Sequence, residues 1–301
     1  MKIKAKEVID WKVIGEPLDQ ILEAVENKID REWPQELSSY VGAQAMVLFT
    51  FKVAKNTYRT IRWICADEPH YEDRRLEYSV TVPPLARTIV DHIFTLVFVS
   101  EDVINRSQWY HRSGWRELQE EFDRYKSKYA GNSNWTEWLK LFQERLELSK
   151  KSWGISEAEA NEPKTIKWWP TPPKMLKHSY SNSETKQFLE FLNDWFYREL
   201  SAASHLTLPG LIKASDQLIK DQSDDKQRES LLDFKSQCLT TTVTLLLALI
   251  SEIEVIAKFG LQERISYIWG LLIQYWGDAK GLYDMRYAKL LMERNCQSTP
   301  Y

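Results

Sequence analysis

The stretch Thr81-Val82-Pro83-Pro84-Leu85-Ala86-Arg87-Thr88-Ile89-Val90-Asp91-His92-Ile93-Phe94-Thr95-Leu96-Val97-Phe98-Val99 decides the fold class. A proline pair behind a threonine reads as a helix start, because proline at the first helical position gives up only an N–H that has no partner there. From Leu85 to about Ile104 the apolar residues Leu85, Ile89, Val90, Ile93, Phe94, Leu96, Val97, Phe98 and Val99 leave almost no polar sector. A helix apolar nearly all round belongs in the centre of a bundle. Its polar residues, Arg87, Thr88, Asp91, His92 and Thr95, gather on one stripe.

Working outward, the same 3.6-residue spacing recurs on both sides. Residues 7–14 read as a short strand or an extended arm, and Pro17 reads as the start of an amphipathic helix carrying Leu18, Ile21, Leu22, Val25 and Ile29. A longer helix is predicted from about Leu37 to Cys65. Two Trp-rich helices follow near 108–129 and 134–152, with Asn134 and Glu137 as a capping arrangement and Gly154 as a C-terminal cap. Residues 154–183 read as a connector. Ser181 and Glu184 have capping-box spacing before a helix that runs to about Ser204. A long helix from about Asp225 to Phe259 is stopped by Gly260, and a last helical region reaches about Glu293 with breaks at Gly277 and Gly281. The expected fold is all-α: one multi-helix bundle over residues 1–301, with an arm at 1–16, a core at 37–215 and additional C-terminal helices at 225–295.

Composition narrows the function classes. Of 301 residues, 43% are hydrophobic and 28% charged, which fits a globular chain, and 13 Trp, 14 Tyr and 11 Phe imply an aromatic core. A net charge of −3 provides no global basic field, so any nucleic-acid contact needs a local patch. Cys65, Cys238 and Cys296 are odd in number and widely spaced, as expected of reduced thiols in a cytoplasmic protein. The basic start Met1 to Lys6 is not followed by an apolar segment, so no signal peptide is expected. The longest uninterrupted apolar run, Leu245 to Ile250, is short for a spanning helix, and no membrane partner is expected. Neither a phosphate-cradling glycine loop, a nucleophile elbow nor a zinc spacing is present, so no cofactor or metal is expected.

Three constellations could carry chemistry. Arg198 and His205 are seven residues apart, about two helical turns, and Ser201 and Ser204 lie between them on nearly the same stripe. Metal-free RNA cleavage needs a group that takes a proton from a 2′-hydroxyl and another that stabilises charge on the phosphate. Histidine and arginine suit these roles. The plainer reading is a C-terminal cap by His205 and an ion pair from Arg198 to Asp194. Arg87 and Asp91, four apart on the central helix, can pair with each other or face the Arg198 stripe across the bundle. The connector carries Lys164, Lys167, Lys174 and Lys177 around Trp168 and Trp169, with no acidic residue from Pro163 to Ser183. Lysines neutralise phosphates and an indole stacks a base, or the loop is simply pinned down by its tryptophans.

The segment Tyr197-x-x-Leu200-Ser201-x-x-x-His205, with Pro84 to Asp91 upstream, resembles the signature of a mostly microbial helical family known only as a domain of unknown function. More distantly, Arg198-x6-His205 resembles the Arg-x4–6-His motif of HEPN-type helical bundles. That resemblance implies a bundle of antiparallel helices and a metal-independent endoribonuclease, often dimeric, used by prokaryotes in toxin–antitoxin or antiphage defence. It implies His205 as general acid/base, Arg198 as phosphate clamp and Ser201 as a supporting hydroxyl, with Arg87 and Asp91 orienting the site and the lysines of the connector meeting RNA. The alternative is a non-enzymatic helical scaffold that dimerises or holds a partner protein through its C-terminal helices.

Overall fold

The computed structural model describes residues 11–65, 76–177, 182–204, 208, 212 and 225–292. These form an all-α, multi-helix bundle, and no strand occurs among them. The chain divides into two compact units. The first comprises Met1–Pro34, Val47–Glu101 and Pro172–Tyr301; the second comprises Gln35–Met46 and Asp102–Thr171.

The first unit is built around two helices, α3 (Val82–Ser100) and α10 (Asp225–Ala257), which pack along each other. As its composition demands, α3 buries Ile89, Val90, Ile93, Phe94, Leu96, Val97, Phe98 and Val99 completely. Each such side chain contributes about 1.5–3 kcal/mol of transfer free energy. Helix α10 is submerged further, with Leu245 through Ile250 all at 0% exposure. Its hydroxyls cannot reach water, so they bond back one turn: Thr242 donates to the Cys238 carbonyl at 2.7 Å, Thr244 to Thr240 at 2.9 Å and Ser251 to Leu247 at 2.7 Å. The Glu254 carboxylate accepts from the Phe259 and Gly260 amides at 3.1 and 3.0 Å, closing the helix end where Gly260 adopts a φ of +78°. By length and composition Tyr78–Ser100 and Glu229–Ala257 could each cross a bilayer; 56% and 89% of their most apolar windows are buried inside the fold.

Around this pair stand α1 (Trp11–Arg31), the part of α2 (Val41–Cys65) from Val47 onward, α7 (Pro172–Met175), α8 (Ser183–Leu192), α9 (Arg198–Ser204), α11 (Gln262–Tyr275), α12 (Gly277–Leu282) and α13 (Ala288–Met292). Helix α1 differs from expectation: residues 11–16 are helical, and Pro17 sits inside the helix instead of opening it. The apolar stripe Ile14, Leu18, Ile21, Leu22, Val25 and Ile29 is continuous and fully buried, so its burial carries the helix through the proline. Arg62 to Asp19 at 2.7 Å and Lys55 to Glu26 tie α1 to α2.

The second unit is a hairpin of α4 (Val103–Tyr129) and α5 (Ser133–Ser152), with α6 (Glu157–Asn161) and a short 3-10 turn at Pro163–Thr165. Its core is small: Trp115, Phe122, Leu146, Ile155 and Ile166. Asn132, not Asn134, caps α5, by accepting from the Asn134 amide at 3.1 Å. The connector holds more structure than the sequence reading expects, because Ser156 and Glu159 form a reciprocal capping box that starts α6. The cap before α8 is Asn182, accepting from the Thr185 amide at 2.7 Å; Ser181 lies outside the described residues.

Candidate functional site

The polar stripe of α3 leads to the site. Arg87 and Asp91 are one turn apart and pair at 3.6 Å. Arg87 also reaches the segment that runs from α8 into α9. Its Nε donates to the Ser201 hydroxyl at 2.6 Å and its Nη2 donates to the Tyr197 hydroxyl at 2.5 Å. The guanidinium carbon lies 4.5 Å from the centre of the Tyr197 ring, in cation–π contact. The same ring meets Phe94 of α3 edge-on at 5.7 Å. One arginine thus joins two helices through a carboxylate, two hydroxyls and an aromatic face.

A distortion in the helix positions these partners. Residues Asn193–Tyr197 form a π turn, in which the Arg198 amide donates to the Asn193 carbonyl five residues back. A π turn takes up an extra residue and rotates the following helix relative to the preceding one. Tyr197 and Ser201, four apart, present themselves to Arg87. Arg198 projects outward, with its side chain 74% exposed, and pairs with Asp194 at 3.6 Å. His205 lies outside the described residues.

The electrostatics of the stripe are set by burial. Desolvation raises the Asp91 carboxyl above its ordinary value, against the opposing pull of Arg87. The neighbouring His92 is pushed down to about 4 by burial, and its Nε2 is buried with no hydrogen-bond partner. Thr95 turns its hydroxyl back to the Asp91 carbonyl at 3.0 Å. The site therefore offers a fixed cation, two hydroxyls and a carboxyl with an elevated proton affinity, with Arg87 and Asp91 both partly open to solvent. That set suits an anion carrying a proton donor or acceptor. Among the described residues no group of His, Cys, Asp and Glu is placed to hold a metal ion.

The connector residues are distributed over the two units. Lys164, Lys167, Trp168 and Trp169 belong to the second, and Lys174 and Lys177 to the first. All four lysines are exposed. In the second unit the backbone between them is strapped to α4. Arg116 donates to the carbonyls of Lys164 and Ile166 at 3.4 and 2.7 Å, the Trp109 indole donates to the Lys167 carbonyl at 3.0 Å, and the Trp169 amide donates to Ser113 Oγ at 2.6 Å. Trp168 lies under the Arg116 guanidinium at 4.3 Å, and Trp169 packs edge-on against Trp109 and Tyr110. Beside them Gln108, Arg112, Glu159, Thr165 and Lys167 line a shallow cleft of about 300 Å³.

Tyr197 and His92 were not among the sequence-derived candidates. Tyr197 heads the signature Tyr197-x-x-Leu200-Ser201, and its i, i+4 relation to Ser201 was the usable signal. His92 carried two signals, its place on the stripe and the Arg-x4-His spacing from Arg87, although five residues turn a helix by roughly 500° and leave the two about 140° off a shared face. No protein-family profile, curated protein or solved structure matches this chain.

Proposed function

We propose that this chain binds RNA at the Arg87 centre and cleaves it by metal-independent acid/base chemistry. The observation that supports this reading is the half-open Arg87–Asp91–Tyr197–Ser201 cluster, which joins the polar stripe of the largely apolar helix α3 to the segment that runs into α9. Arg87 takes the phosphate-holding role that the HEPN resemblance implies for Arg198, because Arg87 is the arginine that meets Ser201. Tyr197 and Ser201 hold the guanidinium in place, and Asp91 pairs with it at 3.6 Å. In the reaction, His205 takes the 2′-hydroxyl proton, O2′ bonds to phosphorus, and the bond from phosphorus to O5′ breaks. The leaving O5′ takes up a proton from solvent and protonated His205 returns its own to solvent, which yields a 2′,3′-cyclic phosphate and a 5′-hydroxyl. A toxin or antiphage role belongs to the same proposal, with arrest of growth on expression as its outward sign.

Cleavage of single-stranded RNA in a chelating buffer tests the reading. Arg87→Ala and His205→Ala should each slow cleavage by about 10²-fold or more, while Arg198→Ala should retain most of it. Equal activity in Arg87→Ala and the parent overturns the proposal.

A second reading has its own support. Arg87 uses all three nitrogens and its face within the fold, as a structural clamp between α3 and α9 does. On that reading the chain is a non-enzymatic helical scaffold. Tyr197→Phe, which deletes one hydroxyl and keeps the ring, would then lower the melting temperature and change no RNA-dependent signal.

A further inference from the structure

The cleft of the second unit holds polar groups that neither the fold nor the Arg87 centre uses. Asn105, Gln108 and Arg112 follow one another on α4 at spacings of three and four, so they share a face. Across the cleft of about 300 Å³ stand Glu159 and the segment from Thr165 to Lys167. Arg112 pairs with one oxygen of the Glu159 carboxylate. The other oxygen accepts from the Ser156 amide at 3.1 Å and from the Ser156 hydroxyl at 2.9 Å. Glu159 is thus occupied at both oxygens, and it fixes the guanidinium in place. The Arg112 side chain stays 36% exposed, and a guanidinium carries five N–H donors, so it has donors to spare. Lys167 is exposed, and its ammonium has no partner among the described residues. Its backbone is held, because its carbonyl accepts from the Trp109 indole at 3.0 Å. The half-buried Gln108 amide is likewise without a partner among the described residues. Asn105 donates to the Asp102 carboxylate at 3.0 Å, which leaves its own carbonyl oxygen open.

We propose that this cleft binds a small phosphorylated polyol of the sugar-phosphate class. Arg112 and Lys167 take the phosphate, the first through its planar fork and the second as a point charge. A phosphate dianion answers two cations where a carboxylate answers one. Gln108 and Asn105 take the hydroxyls, because an amide can donate to one hydroxyl oxygen and accept from another. Trp109 and Ile166 supply the apolar part of the lining, against which the C–H face of the ligand rests. The connector tryptophans are engaged elsewhere. Trp168 lies under the Arg116 guanidinium at 4.3 Å, Trp169 packs edge-on against Trp109 and Tyr110, and neither lines the cleft. One indole among polar side chains suits the hydroxyl-covered body of a polyol better than a flat base, which is held on successive aromatic rings in stacking platforms. The volume stands at the small end of the range for ligand sites, in keeping with a ligand of this size. The proposal does not rest on RNA cleavage, since the cleft belongs to the second unit and the Arg87 centre to the first.

Isothermal titration calorimetry on the full chain tests this, with glucose 6-phosphate, ribose 5-phosphate and glycerol 3-phosphate as probes. Inorganic phosphate, glucose and AMP are titrated alongside. At least one of the three probes should bind with a Kd of about 1 mM or tighter, and about tenfold or more above the affinity for inorganic phosphate. Glucose should give no binding heat. Lys167→Gln and Gln108→Leu should each weaken that binding about tenfold, the loss expected for one hydrogen bond to a bound ligand. Both should leave the helical circular-dichroism spectrum unchanged, because neither side chain has a partner among the described residues. Failure of all three probes to bind overturns the proposal. So does inorganic phosphate binding as tightly as the best probe, or binding that survives both substitutions. AMP binding as tightly as the best probe also overturns it, and would assign the cleft to nucleotides.

Discussion

Helix α10 and helix α5 meet water in opposite ways, although each is a long helix with aromatic neighbours. In α10 nearly every side chain from Leu239 to Ala257 is enclosed, so each polar group must find a partner inside the protein. Its hydroxyls bond to its own carbonyls. Glu252, at 0% exposure, receives a two-pronged bond from Arg286, which also reaches Ser100 at 3.3 Å. Helix α5 anchors on Leu146 and holds the rest of its inner side with rings: Tyr129 stacks on Trp135 at 4.1 Å, and Trp138 meets Tyr125 and Phe142 edge-on. Most of its charges are solvated and need no partner within the chain, whereas Lys150, whose side chain is largely covered, pairs with Glu157 at 2.8 Å. The difference shows where a single substitution matters. In the enclosed helix the costly loss is a polar partner, and in the exposed hairpin it is an apolar anchor.

The largest expected effect follows from the enclosed pair. Glu252→Ala leaves the Arg286 cation buried without a counter-charge and should cost about 3–5 kcal/mol in urea denaturation. Replacing both residues, Glu252→Leu with Arg286→Met, should recover most of that loss; failure to recover would mean the pair does more than neutralise itself. Next, Leu146→Ala should cost about 2–4 kcal/mol by opening a cavity in the hairpin, with proteolysis of α5 accelerated before any change in α10.

A pH effect comes third. Burial holds His92 at about 4 in the fold, against ~6.5 in the unfolded chain. The unfolded state therefore binds the proton first, and stability present above pH ~6.5 falls as pH drops towards 4, by up to about 3 kcal/mol. Asp91 acts in the opposite sense. Its raised carboxyl favours the fold below the unfolded value of ~3.9, and that contribution is lost as pH rises through its folded value. Urea midpoints measured between pH 4 and 7 for the parent and for His92→Leu isolate the His92 part, which should vanish in the variant. The smallest effect is expected at the hairpin surface. Arg124→Ala removes an exposed pair with Glu121 at 3.4 Å and should change stability by less than about 0.5 kcal/mol.

Periodicity made the helices legible because burial imposes it. The stripe of α1, the all-round apolar character of α3 and the stop of α10 at Gly260 are each written in residue types at fixed spacing. Local capping chemistry was partly legible: Ser156 and Glu159 carry capping-box spacing, yet their helix is only five residues long and has no apolar face to announce it. The candidate site was legible as two separate stripes. Arg87 with Asp91 follows from helical spacing alone, and Ser201 stood on the stripe with Arg198 and His205, whereas Tyr197 was legible only as the head of the signature. The meeting of the two stripes does not follow, because it joins residues more than a hundred positions apart.

The sequence by itself determined that the chain is helical, which helix is central and which polar residues that helix carries, since these depend on side-chain type repeated every 3.6 residues. Only the tertiary structure decided which arginine meets Ser201. The π turn at Asn193–Tyr197 reorients the helix that follows it, Arg198 points outward to Asp194, and Arg87 arrives from another helix. A turn that takes up one extra residue leaves no mark in composition or period, so helix phase beyond it can be known only from the folded chain.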